Sequence, residues 1–360
     1  MDFALHLPVN NLSFGQVSHC ILREIYKKEL EPSLFPIIED VSSFSIDKDF
    51  LKWLKSCIAK GPRSHKRSNP AFHLWHLNGT GMATLSRKEL LLSFYETDSP
   101  TPAEINIASN ADKLFFSSKS SMEVFSNLGV DSEFIPLGFD SNHFKRLDKQ
   151  FYDDGRIVFN VCGKLEKRKR HNKLIKAWVK KFGNDSRYHL QCAIHNPFIK
   201  KEMPSLINRI LEGKQYFNVQ FLDFMDKNIV YNDFLNSGDI IIGMSGGEGW
   251  GLPEFHSVAI GKHSVILNAT GYKEWATSEN SVLVEPSSKI SSADGVFFKE
   301  GGEYNQGKIH DFDEDDFINA CEDAIKRKEN DKINNEGLKL QQEFTYLKTT
   351  EKILDYIKNA

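Results

Sequence analysis

The feature that most limits what this chain can become is one short run. Asp239-Ile240-Ile241-Ile242 leads to Ser245-Gly246-Gly247-Glu248-Gly249-Trp250-Gly251-Leu252-Pro253-Glu254-Phe255-His256. Apolar, β-branched residues ending in a glycine-rich turn read as a central parallel strand buried on both faces, and Pro253 in a first-turn position starts a helix. The start of such a helix offers unpaired N–H groups and a positive partial charge, and the glycines let a ligand approach the backbone. A phosphate fits that end. Glu248 is the exception, because an anion repels it unless it faces hydroxyl groups. A sugar joined to a phosphate supplies both.

The rest of the chain sets the frame. At 360 residues it exceeds the size at which one core stops growing, so two domains are expected. A hydrophobic content of 40% and a charged content of 26% are those of a globular protein, and no apolar run has the length needed to span a bilayer. Met1-Asp2-Phe3-Ala4-Leu5-His6 lacks a basic region followed by an apolar stretch, so no secretory signal is expected and a cytoplasmic location is. Cys20, Cys57, Cys162, Cys192 and Cys321 are widely spaced without any C-x-x-C, which reads as buried thiols rather than disulfides or a zinc site. A net charge of −3 excludes global attraction to nucleic acid or anionic lipid. Locally, Lys52, Lys55, Lys60, Arg63, Lys66 and Arg67 stand with no acid among them around the loop-like Gly61-Pro62. They form either a solvated helix end and loop or a patch for a polyanionic acceptor.

Taken in order, the chain opens as a doubly wound α/β domain. Phe3 to Pro8 reads as a strand, Asn10 to Gly15 as a turn-rich loop, and Gln16 to Glu29 as an amphipathic helix. Leu34 to Ile38 is a second strand, and Asp47 caps a helix to Ala59. Ala71 to Leu77 is a strand ending at Asn78-Gly79, with His76 as a candidate acceptor contact or a structural histidine. Leu90 to Tyr95 is a continuous apolar run, a buried strand whose carboxyl end carries Glu96 and Asp98, where open α/β sheets bind ligands. Thr101-Pro102-Ala103-Glu104 is a helix start.

After the charged, aperiodic stretch 147–155 the pattern restarts. Arg156 to Cys162 forms a strand, and Gly163-Lys164-Leu165-Glu166-Lys167-Arg168-Lys169-Arg170-His171 carries six basic residues ahead of a helix start, a second phosphate-binding arrangement. Strands at His189 to Ala193, Val219 to Leu222, Asp239 to Ile242 and Ser264 to Leu267 alternate with helical stretches, so this half is doubly wound too. Asp311 to Asp316 is a run of acids in a first helical turn, which needs no metal.

The string Glu248-Gly-Trp-Gly-Leu-Pro, with Gly261-Lys-His-Ser-Val-Ile and Thr270-Gly271, resembles the donor-site signature of family 4 retaining glycosyltransferases. That signature has two glutamates with seven residues between them. Here the second position holds His256, so recognition of the donor ribose departs from the family pattern. Lys164 and Lys169 stand where the family places an arginine and a lysine, and Glu96-Thr97-Asp98 is similar to an acceptor-side string of some members.

The resemblance implies a GT-B fold, two facing Rossmann-like domains with a cleft between them: an acceptor domain over 1–147, a donor domain over 148–342, and a helix over 343–360 crossing back. It implies transfer of a sugar from a nucleoside-diphosphate sugar, a UDP-sugar first, with retention and with no metal or other cofactor required. Glu248, Lys169 and Lys164 would carry the chemistry. Gly15, Gly163, Gly249, Trp250, Gly251, Leu252 and His256 would line the donor, and Gly15 alone reads equally as a turn. His76, Glu96 and Asp98 would face the acceptor.

The acceptor stays open among a glycan, a lipid-linked or protein hydroxyl, and a base in DNA. The compact N-terminal half resembles glycosyltransferases of tailed phages, some of which decorate hydroxymethylated DNA; such an enzyme would work in the host cytoplasm. Rival readings are a nucleotide-sugar epimerase of the same fold and a non-catalytic sugar-binding protein. An NAD-dependent oxidoreductase is disfavoured because neither half opens on G-x-G-x-x-G with an acid about 20 residues on.

Overall fold

The computed structural model describes residues 1–10, 12–40, 47–79 and 83–360; Asn11, in the loop before the first helix, lies outside them. Two compact units result. One contains Met1–Asp140, Lys299–Gln306 and Gln342–Ala360, and the other Ser141–Phe298 and Gly307–Gln341.

In the first unit six strands form one parallel sheet: β1 (Ala4–Val9), β2 (Ser33–Glu39), β3 (Ala71–Leu74), β4 (Glu89–Ser93), β5 (Lys113–Phe116) and β6 (Ser132–Phe134), in the order β2-β1-β3-β4-β5-β6. The order reverses between β1 and β3. Helices α1 (Ser13–Lys27), α2 (Lys48–Ser64), α3 (Pro102–Asn110) and α4 (Lys119–Ser126) connect the strands. Helix α1 starts three residues earlier than its polar pattern predicts, because Phe14 is buried and extends the apolar stripe of Val17, Ile21 and Ile25 by a turn. Strand β4 is shorter than the apolar run: β3 and β5 pair with it only as far as Leu92 and Ser93, and Tyr95 leaves the sheet to meet Phe125 edge-on at 5.0 Å. Helix α2 runs through Gly61-Pro62 rather than breaking there. Asp47 caps its start, and its buried face of Phe50, Trp53, Leu54 and Cys57 holds it against β2 so closely that a Cβ on Gly61 would lie 2.8 Å from the Leu34 carbonyl oxygen.

The C-terminal helix Tyr346–Asn359 completes this unit, packing Ile353, Leu354 and Ile357 inward. Thr349 Oγ1 donates to the Pro136 carbonyl at 2.8 Å, and Lys352 Nζ to that of Phe134 at 2.6 Å.

The second unit has its own six-stranded parallel sheet: β7 (Ile157–Cys162), β8 (Tyr188–Ala193), β9 (Val219–Phe221), β10 (Ile240–Gly243), β11 (His263–Leu267) and β12 (Val282–Val284), ordered β12-β11-β10-β7-β8-β9. Its helices include α5 (His171–Phe182), α6 (Met203–Ile210), α7 (Asn228–Ser237), α8 (Leu252–Ala259) and α9 (Glu314–Asn330), and most of α10 (Asn335–Glu343). Phe159, Trp178, Phe182, Ile240, Ile242 and Phe317 anchor its core. The acidic run before α9 is a capping device, since Asp313 accepts from the N–H groups of Asp315 and Asp316. Strands β7 and β10 are neighbours, and the chain winds outward from them in opposite directions. Ligands of such sheets bind outside the carboxyl ends of the strands at that reversal.

Candidate functional site

The loops leaving β7 and β10 therefore define the site in the second unit, and both are the loops that the sequence singles out. Gly163 ends β7 with φ of +116°, a conformation closed to ordinary side chains, and a Cβ there would lie 3.2 Å from Lys169 Cε. Its absence gives the Lys169 side chain a path inward. The chain then makes a short 3₁₀ turn over Lys167–Lys169, and Arg170, in the left-handed region, starts α5.

The β10 loop is pinned from several sides. Gly246 N–H donates to the Arg168 carbonyl at 2.9 Å, His310 N–H to that of Gly246 at 2.8 Å, Glu248 N–H to Thr270 Oγ1 at 3.0 Å, and Gly271 N–H to the Glu248 carbonyl at 2.9 Å. Gly251, with φ of +81°, turns the chain into α8, and a Cβ there would lie 2.2 Å from Tyr272. Trp250 is buried against Phe255, and its carbonyl accepts from Trp275 Nε1 at 2.8 Å. Leu252 opens α8, and His256, buried one turn on, packs on Phe144 at 4.4 Å.

At the centre Lys169 Nζ bonds to Glu248 Oε1, and Arg168 donates to the same oxygen from Nη1 at 3.0 Å. Arg168 also donates to the Gly247 carbonyl and, through Nη2 at 2.9 Å, to Glu166. All three central side chains are buried: Arg168 is 5% exposed, Lys169 7% and Glu248 6%. Burial raises the pKa of Glu248, but the charges of Lys169 and Arg168 outweigh it and hold the carboxyl at about 2. Burial likewise opposes the charge of Lys169, and Glu248 and Glu254 restore it. The centre is an ionised carboxylate clamped by two cations, which costs desolvation and is kept in place by close geometry.

Lys169 and Glu248 thus come together, and Lys164 does not join them: its ammonium lies 4.5 Å over the Phe297 ring, and its side chain is 45% exposed. Arg168 occupies the inner place instead. It sits in the basic loop, but its spacing from Gly163 does not distinguish it from the other cations. A second group missed from sequence is Glu254, 2% exposed and next to Pro253, whose carboxyl burial lifts to about 7. Beside this cluster a cavity of about 140 Å³ is lined by Gly163, His195, Phe224, Tyr231 and Pro253. A larger one, about 530 Å³, lies between the basic turn and α6.

In the first unit Gly15 lies within the first turn of α1, where a Cβ would fall 2.0 Å from the Asn10 carbonyl oxygen. Phe14 beside it packs at 4.3 Å on His76, which is exposed after β3, so these residues meet at the reversal of that sheet. Glu96 and Asp98 follow β4, partly exposed. The exposed Arg63, Lys66 and Arg67 lie where the chain leads into β3, so they stand at the sheet edge opposite His76, Glu96 and Asp98. Among the described residues no cluster of three metal-binding side chains is found, and no helix is long and apolar enough to cross a membrane.

No family model matches the chain. The uncharacterized glycosyltransferase 335 of Sulfolobus islandicus rod-shaped virus 1 is 26% identical over 180 residues, 49% of this chain and 48% of that protein, so the chain spans about half the length of this relative. Solved structures are similar over the full chain. Sucrose-phosphate synthase from Thermosynechococcus elongatus superposes with a TM-score of 0.68 at 12% identity, over 100% of this chain and 98% of that one. Anabaena HepE, in complex with UDP-glucose, gives 0.67 at 16%, over 100% of both chains. The two parallel six-stranded sheets with alternating helices make this a GT-B fold built of Rossmann-like domains.

Proposed function

We propose that the protein is a retaining glycosyltransferase that moves a sugar from a nucleoside-diphosphate sugar, a UDP-sugar first, to a hydroxyl acceptor. The observation that carries this reading is the buried Glu248–Lys169–Arg168 cluster at the reversal of a Rossmann-like sheet. HepE, a structural neighbour, is known in complex with UDP-glucose, and the viral relative is named a glycosyltransferase.

Breaking a glycosyl–phosphate bond puts negative charge on the departing diphosphate, and cations already in place lower that barrier. Lys169 and Lys164 serve this role from the basic loop, joined by the N–H groups after Gly249. Glu248 accepts from hydroxyls of the donor sugar and orients the ring. The small cavity beside Gly163, with Phe224 and His195 in its lining, takes the nucleoside, and His256 stands in the place of the family's ribose-binding glutamate. No enzymic nucleophile is required, because the departing phosphate takes the acceptor proton. Residues 1–147, with His76, Glu96 and Asp98, form the acceptor side, 148–342 the donor side, and 343–360 belong with the acceptor side.

The test is a donor screen read by released nucleotide, with and without hydroxymethylcytosine DNA as acceptor. Turnover of a UDP-sugar is expected in the wild type. In folded Glu248→Gln and Lys169→Ala variants kcat/KM should fall at least about 100-fold, the scale of losing one preorganised charge contact. Wild-type turnover by either variant would refute the reading. A DNA acceptor predicts binding that weakens steeply with salt. The position of Arg63, Lys66 and Arg67, at the edge away from Glu96 and Asp98, gives that acceptor no direct support from the basic stretch.

A further inference from the structure

Behind the donor turn lies a second carboxyl to which the proposed chemistry assigns no role. Glu254 sits in the first turn of α8 and is 2% exposed, and among the described residues its Oε2 has no well-formed hydrogen bond, with the Tyr272 hydroxyl the group nearest to supplying one. The space around it is shaped for it: a Cβ on Gly243 would lie 2.8 Å from its Cγ and 3.2 Å from the Tyr272 hydroxyl. The titratable groups that face it are Lys169 from the 3₁₀ turn, Glu248 from the β10 loop, Tyr272 from the 270–274 turn, Cys162 at the end of β7 and Tyr231 on α7.

Their charges decide its state. With Glu254 ionised, three cations, the buried Arg168 and Lys169 and the more exposed Lys164 at 3.9 Å from Glu166, face three carboxylates, Glu166, Glu248 and Glu254. Their charges then cancel, and nothing is left over for a diphosphate. With Glu254 neutral the cluster keeps one net positive charge, and Lys169 answers one buried carboxylate, Glu248, instead of two. Burial favours the neutral acid, and the negative charge of Glu248 adds to it against the pull of Lys169.

We propose that Glu254 is a positioning residue of the donor site that is protonated in the donor complex, so that the donor diphosphate and one proton bind together. The inference rests on the donor-site reading above. The neutral acid leaves Glu248 as the one buried carboxylate acting on Lys169, and the ionised form adds a second that competes with the diphosphate for that ammonium and repels the ligand.

The probe is UDP-glucose, whose two phosphates each carry one ester and one anhydride link and so lack the terminal-phosphate ionisation near pH 6. Calorimetric titration of the full chain in buffers of different ionisation heat should show net proton uptake near pH 7. Affinity should fall by up to about tenfold per pH unit above 7, the slope for one linked proton. Glu254→Gln, which keeps the shape of the neutral acid, should bind with wild-type low-pH affinity, without uptake and without that slope. Infrared spectra of the free protein should show a protonated-carboxyl band at pH 6 that Glu254→Gln removes. A merely structural Glu254 would leave wild-type binding flat with pH, or the slope intact in Glu254→Gln; either result overturns the proposal, as does absence of the band. Failure of UDP-glucose to bind at any pH would instead strike the donor-site reading, and the inference with it.

Discussion

Gly251 and Gly271 show how much of the β10 loop rests on single atoms. A Cβ on Gly271 would lie 2.6 Å from the Gly249 carbonyl carbon and the Trp250 nitrogen, both backbone atoms that cannot step aside. Gly271→Ala should therefore cost about 1–3 kcal/mol, read by chemical denaturation, and lower donor affinity as the loop shifts. Gly251→Ala adds a left-handed backbone cost of about 1–2 kcal/mol to its clash with Tyr272, so it should be the worse of the two.

The two glutamates have opposite effects on stability against pH. Glu254 has its folded pKa raised to about 7 from the ordinary 4.5, so the folded chain keeps a proton that the unfolded chain releases. Its contribution to stability falls as pH rises from about 4.5 to about 7, and Glu254→Gln should raise the melting temperature at pH 8 more than at pH 5. Glu248 has its folded pKa lowered to about 2. Its contribution is fully present above about 4.5 and is lost as pH falls toward 2. Arg168 shares this pair, so Arg168→Met should destabilise by about 3–5 kcal/mol by leaving Glu166 and Glu248 underpaired.

At the scale of elements, the strands that could be read most directly are those with continuous apolar runs, β7 and β10, because burial on both faces leaves no polar alternation to confuse them. Element ends were less legible. Helix α2 passes a glycine and a proline because its buried face gains more from packing on β2 than the break would save, so Gly61→Val should strain it against Leu34 and lower stability by about 1–3 kcal/mol. The basic residues at the end of that helix read first as a solvated surface, with an acceptor patch as the alternative. The register of β3 settles only their place, at the starts of the strands. Replacing Arg63, Lys66 and Arg67 by glutamine should leave transfer to a small acceptor unchanged, measured as kcat/KM.

At the scale of the molecule, the C-terminal helix belongs to the first unit although the chain reaches it from the second. Ile353 is fully buried there, so Ile353→Ala should cost about 2–5 kcal/mol, seen by denaturation as early loss of that unit.

Local chemistry alone was enough for the two α/β halves, for the glycine-rich turn after β10 with Glu248 in it, and for the basic loop after β7, while the choice of Lys169 within that loop came from the family resemblance. Strand periodicity, glycine placement and charge are properties of neighbouring residues, and they need no knowledge of the fold. The tertiary structure decided what depends on residues far apart in the chain. Strand order put the β7 and β10 loops side by side, and the path past Gly163 sent Lys169 and Arg168 inward while Lys164 stayed at the surface. The same packing closed around Glu254, because burial, aided by the charge of Glu248 and opposed by that of Lys169 from the β7 loop, sets its proton.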